Sequence, residues 1–259
     1  MLPLLERWLK HAAQEVQEYV FLTRRAFHGA FTRPIYWHDI VDQFDLIGAG
    51  SLTVVVLSGL FTGAALTSQS GLTLDQFGAR PLVGRLVSAS MIKELGPVLT
   101  ALMLTGRIGS GIAAELGSMV VTQQIDALRV LGSDPVRKLV APRVGAAMIM
   151  VPVLTVISDT LGILGGAVIS IFSLKLSWEF YWRSVAGALA MNDLVMGLSK
   201  PVMFGFLLAT VGCYQGLSTK GGSLGVGVAT TQSVVVASVL ILSSDFFLTK
   251  LLLLIFPVV

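Results

Sequence analysis

Apolar residues run through this chain in long blocks separated by short polar connections. Five blocks, approximately residues 46–66, 87–106, 144–172, 194–217 and 233–256, reach the ~20 residues that a helix needs to cross a bilayer. Ahead of them, residues 4 to 31 show helical rather than continuous apolar spacing. Leu5, Trp8, Ala12, Val16, Tyr19, Val20 and Phe27 share one broad face, while Arg7, Lys10, Glu15, Glu18, Arg24 and Arg25 lie mostly elsewhere. A basic amphipathic helix with aromatic anchors suits a membrane interface; its alternative is a helix packed on a soluble partner. The stretch TRPIYWHD ends it, because Pro34 disfavours helix at the preceding residue.

The longest polar connection, residues 107 to 143, is not loop-like. Val121, Ile125, Leu128 and Leu131 recur at helical spacing, and Gly132 is a natural helix stop. Asp134–Pro135 reads as an N-cap with proline at the first helical position, and Pro142 serves the third block in the same way. The pattern predicts a short amphipathic helix, about 119–135, lying across one membrane face between the second and third spans. It could rest on lipid, or dock a partner and pass movement to the spans; spacing leaves both open.

Composition sets the class. The chain is 54% hydrophobic and 13% charged, with mean hydropathy +0.81, where a soluble domain carries roughly 25% charged residues. The expectation is an all-α polytopic membrane protein of one domain, 1–259. Residues 1–45 would form the interfacial helix and connector, and 46–256 the bundle. No cleavable signal peptide is expected, and the lone Cys213 allows no internal disulfide. Gly59 with Gly63, and Gly162 with Gly166, have the small-xxx-small spacing that lets membrane helices approach closely. No internal repeat supports an inverted-repeat transporter.

Ten of the 18 Lys and Arg residues lie before residue 46 or between the second and third blocks. Basic residues favour the cytoplasmic side, so the expected topology has a cytoplasmic N-terminus and a C-terminus across the membrane. Chemistry-bearing motifs are scarce. His11, His28 and His38 all precede the first span, and no G-x-x-x-x-G-K-[ST] loop occurs. GGSLGVGVATT, residues 221–231, lacks the lysine and strand of a phosphate cradle and is expected to be a flexible turn. No enzyme activity, metal, cofactor or nucleic-acid partner is expected.

Five ionisable residues sit inside the apolar blocks: Lys93, Glu94, Asp159, Lys200 and Asp245. A charge at mid-bilayer costs about 2.5–3.5 kcal/mol on insertion scales, so these groups should face the bundle interior. Adjacent helical positions diverge by about 100°, so Lys93 and Glu94 cannot share one neighbour. The expected arrangement links Glu94, Lys200 and Asp245, with Lys93 turned outward and Asp159 serving packing. Such a network could fix the helices, or could handle headgroups or switching.

KELGPVLTALMLTGRIGSGIAAELGSM, followed by TQQIDALRVLGSDPVRKLVAPR, resembles the core signature of the MlaE/YrbE permease family. GLSKPVMFG (197–205) and GVGVATTQSVVVASVLILSSDFFLT (225–249) are similar to its fourth and last spans, and the likeness covers roughly residues 45 to 256. Gln232 departs from it, since some members carry a basic residue there. The resemblance implies the permease subunit of an MCE-type ABC lipid transporter in a bacterial inner membrane. It implies a homodimer served by a cytoplasmic ABC ATPase, an extracytoplasmic MCE-domain protein and a STAS-domain accessory subunit, with phospholipid as substrate. On that reading the short helix is a coupling helix, with Gln123, Gln124, Asp126, Leu128 and Asp134 as ATPase-contact candidates, Glu115 supporting it, and Phe61, Leu66 and Gln69 lining a lipid cavity. Its rivals are a scaffold or channel needing no ATPase, and an ABC permease for another amphiphile such as a sterol.

Overall fold

Helices account for every regular element among the described residues, which in this computed structural model are 2–31, 37–188 and 191–255. In chain order they are α1 (Leu2–Phe31), α2 (His38–Gln76), α3 (Arg80–Val121), α4 (Gln124–Val130), α5 (Val136–Phe172), α6 (Trp178–Ala186), α7 (Met191–Leu217) and α8 (Gly222–Ile255). Five of these, α2, α3, α5, α7 and α8, are long and apolar enough to cross a membrane. The break assigned to Pro34 and the side chains of Leu5, Trp8 and Ala12 lie outside the described residues.

Each spanning helix covers its expected apolar block, as far as residue 255 in the last, and begins before it. Hydropathy marks only the part sunk in hydrocarbon, whereas backbone hydrogen bonding continues into the polar zones. Three spans are locally widened into π-turns, at Asp45–Ala49 in α2, Met91–Leu95 and Thr105–Gly109 in α3, and Val136–Val140 at the start of α5. Such bulges recur at functional sites.

Two expectations need correction. The glycine-rich stretch 221–231 is not a flexible turn: α8 begins at Gly222, and only residues 218–221 connect it to α7. Gly221 and Gly222 make that reversal at φ of 90° and 71°, while the later glycines are helical. The helix expected over 119–135 is also shorter. α3 runs on to Val121, Gln123 breaks it in the left-handed region at φ 60°, and α4 covers only Gln124–Val130. A non-glycine residue in that conformation leaves no compositional signal.

Close approach builds the core. Along the α2–α5 contact Gly59 lies against Ser158 and Gly63 against Gly162; a Cβ on Gly63 would overlap the Gly162 backbone. The two small-residue motifs therefore meet each other. Helix α7 is the most enclosed span, with Phe204, Leu208, Ala209 and Cys213 fully buried between α3, α5 and α8. Helix α8 leans on this group through Ala237, Ile241 and Ser233, whose hydroxyl donates to the Gly109 carbonyl at 3.1 Å. On the α4 side, α1 is tied to the bundle by Tyr19, which hydrogen-bonds Thr210 at 2.8 Å and meets Tyr214 edge-on at 5.7 Å. On the other side Ser177 caps α6, and Tyr181 is sunk below it. The Tyr181 hydroxyl donates to the Ile163 carbonyl at 3.0 Å, and burial pushes its pKa up to about 12.

Candidate functional site

Inside the bundle the charges gather around one lysine. Lys200, on α7 just before Pro201, is 1% exposed, and its ammonium lies 2.7 Å from Glu94 Oε2 and 3.0 Å from Asp245 Oδ1. A third contact goes to the backbone: Lys200 donates to the Lys93 carbonyl at 2.9 Å. That carbonyl is available because Pro97, four residues on, has no N–H to bond it. The same KELGP run thus supplies both a carboxylate and a bare carbonyl to the ammonium. Thr249 Oγ1, one turn beyond Asp245 on α8, reaches Glu94 Oε1 at 3.3 Å. One positive and two negative groups leave the cluster formally negative by one.

Lys93 points elsewhere and pairs with Asp193 at the start of α7, at 2.7 Å. Asp193 was missed because it falls just outside the apolar block 194–217; its position in the first helical turn was the only signal. Asp159 on α5 stays apart from the cluster. It is buried against Gly96, where a Cβ would overlap its Oδ1, and that oxygen has no hydrogen-bond partner among the described residues.

The second group of candidate residues surrounds α4. Ile125 turns into the protein, Leu128 is half-buried, and Gln123, Gln124 and Asp126 face outward, with Asp126 paired to Arg129 at 3.0 Å. The helix ends in a Schellman motif: Ser133 N–H bonds the Leu128 carbonyl and Gly132 N–H the Arg129 carbonyl, both at 3.0 Å, with Gly132 at φ 75°. Just before this turn Val130 and Leu131 are 87% and 78% exposed and form an apolar tip; of the two, only Leu131 belongs to the stripe that helical spacing predicts. Asp134 caps the entry to α5 by accepting from Val136 N–H at 3.0 Å, and it also holds Arg25 of α1 at 3.1 Å. Glu115 lies within α3 rather than at its end and pairs with the buried Arg143 of α5 at 2.7 Å. Another unanticipated tie joins Arg107 of α3 to Ser51 of α2 at 2.6 Å.

The three cavity candidates are not brought together. Leu66 packs against the buried group formed by Val83, Val87, Met91 and Leu174, whereas Phe61 and Gln69 face outward from α2.

Five membrane-length helices around a sheltered ionic centre, with a short helix presented on one face, define a multi-pass helical membrane protein. Residues 40–251 match the model of the family described as Permease MlaE. The chain is 40% identical over 240 residues, 93% of each chain, to a probable ABC transporter permease protein of Rickettsia typhi. It is 35% identical over 214 residues, 82% of each chain, to the intermembrane phospholipid transport system permease protein MlaE of Haemophilus influenzae. Similarity extends to the chloroplastic protein TRIGALACTOSYLDIACYLGLYCEROL 1 of Arabidopsis thaliana, 36% identical over 216 residues, 83% of this chain and 62% of the relative. The chain belongs to the MlaE permease family.

Proposed function

We propose that this protein is the permease of an ABC transporter that moves phospholipids or closely related lipids, with ATP hydrolysed by a separate cytoplasmic subunit bound at α4. Family membership and the naming of the Haemophilus relative as a phospholipid transport permease support the substrate class. The observation that carries the docking step is the apolar tip of Val130 and Leu131, held out by a capped turn. Exposed large side chains beside the charged Asp126 and Arg129 suit a partner pocket, and few-residue anchors dominate such interfaces.

Helix α3 connects the two regions. It carries Glu94 at the ionic centre and runs without a break to Val121, one turn from α4. A push on α4 would therefore be felt along a single helix that passes the Lys200 cluster. In this reading the N-terminus and α4 are cytoplasmic, two copies form the working permease, and an MCE-domain protein meets the opposite face. Affinity purification in mild detergent tests it: an ATPase, an MCE-domain protein and extractable phospholipid should accompany the chain. Leu131→Asp should cut ATPase recovery about tenfold, the equivalent of ~1.4 kcal/mol. A chain purified without ATPase or lipid, or unchanged recovery with Leu131→Asp, would overturn the reading.

A further inference from the structure

Arg85 of α3 lies 22 residues before Arg107 on the same helix, a rise of roughly 33 Å that matches the ~30 Å hydrocarbon core of a bilayer. Between the two arginines the only charged residues are Lys93 and Glu94, both paired with groups on α7. Arg85 and Arg107 therefore bracket the apolar zone, with Arg85 at the boundary away from α4. Arg107 is tied to Ser51. The Arg85 guanidinium has no partner among the described residues; only its backbone N–H is engaged, by the Ser184 hydroxyl at 3.1 Å.

This side chain borders a groove of about 280 Å³ between α3 and α6, shared with Pro81, Leu82, Phe180, Arg183 and Ser184. The two helices are pinned together along it. The Ser184 hydroxyl donates to the Pro81 carbonyl at 2.9 Å, and Gly84 lies against the Tyr181 carbonyl. Leu82 and Phe180 stand exposed on its walls. On α6, the exposed Trp178 meets Trp182 edge-on at 5.5 Å, and tryptophan gathers at the level of lipid headgroups.

We propose that this groove seats the phosphate of one phospholipid in the leaflet away from α4, with Arg85 as its principal contact. Charge closes on that occupant. No carboxylate borders the groove among the described residues. Arg183 faces Glu179 at 3.9 Å, and Arg80 is paired with Asp75, so both of these neighbours are neutral as pairs. Arg85 leaves one positive charge over, which a single phosphodiester balances. Its planar donors can bond two phosphate oxygens at once, while Leu82 and Phe180 take the start of the acyl chains. A soluble anion would gain nothing from those apolar walls. The bound lipid would brace α6 against α3, and it would do so whatever cargo the permease carries.

The test places a photo-crosslinking benzoylphenylalanine at Phe180, on the groove wall, in the full chain. The protein is reconstituted in vesicles of equal phosphatidylcholine and digalactosyldiacylglycerol, a bilayer lipid without phosphate. Position 180 should capture phosphatidylcholine in roughly fivefold excess, the size of one partly exposed charge-assisted contact. The same label at Val156, exposed on α5, should capture both lipids alike. Arg85→Ala should bring the ratio at position 180 down to that at position 156, and Arg85→Lys should keep part of the excess. Equal capture at position 180, the same excess at position 156, or an excess surviving Arg85→Ala would overturn the proposal. So would an excess abolished by added inorganic phosphate, which marks a soluble anion's site, or a crosslink to a second copy of the chain in place of lipid. If Arg85→Ala does not fold, the comparison of positions 180 and 156 in the unaltered background decides alone.

Discussion

Lys200 is where single-residue chemistry weighs most. Its ammonium is enclosed by Glu94, Asp245 and the Lys93 carbonyl, so replacing it leaves a largely buried Asp245 and a half-exposed Glu94 without their cation. Removing one partner of a buried ion pair costs about 3–5 kcal/mol, yet swapping a whole buried cluster for neutral groups is often tolerated. Lys200→Met should therefore lower the thermal midpoint in detergent sharply, and Lys200→Met combined with Glu94→Gln and Asp245→Asn should recover most of the loss. A triple variant no more stable than the single one would show that these charges do not balance one another. The association of Glu94, Lys200 and Asp245 was legible because isolated charges in apolar blocks must find partners. Asp193 was not, because it lies beyond the hydropathic edge of its helix. The carbonyl of Lys93 was hidden for another reason: it needs Pro97 and a particular neighbour together. What the cluster does during transport is a separate question from its pairing. A triple variant that is stable but inactive would assign it to the working cycle.

At the scale of helices, backbone proximity decides what can change. Gly63 has no room for a methyl group against Gly162, while a Cβ on Gly145 of α5 would meet nothing within 4 Å. Gly63→Ala should then cost about 1–3 kcal/mol through overpacking. Gly145→Ala should be neutral or gain up to about 1 kcal/mol by removing backbone entropy. Thermal melts of the two variants in one detergent check the contrast, and equal effects would mean that the α2–α5 contact is looser than described. A third substitution probes the end of α4. Gly132 sits at φ 75°, so Gly132→Ala should cost about 1 kcal/mol and blur the presentation of Val130 and Leu131, lowering ATPase recovery without a comparable fall in overall melting. The five spans and their small-residue faces were legible, since both follow from spacing. The ends of α4 and the start of α8 were not. Gln123 adopts a left-handed conformation that glycine would normally signal, and the 221–231 glycines suggested freedom where Gly225 and Gly227 are in fact helical.

For the whole molecule the question is what covers α8. Only 6% of its most apolar stretch is buried, against 28–61% for the other four spans, and Val235, Val239, Leu242 and Phe246 all stand exposed. Exposed apolar residues need no partner in lipid, so burial alone does not distinguish hydrocarbon from a second protein surface. The helix is nonetheless rich in small residues, with Gly225, Gly227, Ala229, Ser233, Ala237, Ser243 and Ser244 along its length. Small residues let membrane helices pack closely; Ala229, Ser233 and Ala237 are used in the contact within the chain, while Gly227 and Ser243 are left facing outward. If two copies form the permease, α8 is the span with the most surface left to give. Single cysteines at Val235, Val239 and Leu242, in a Cys213→Ser background that removes the one native thiol, should then form disulfide-linked dimers under mild oxidation in membranes. The same change at Val153 on α5, also exposed, should not. Crosslinking at α5 but at none of the three α8 positions would move the interface away from α8, and no crosslinking at any of them would leave α8 facing lipid.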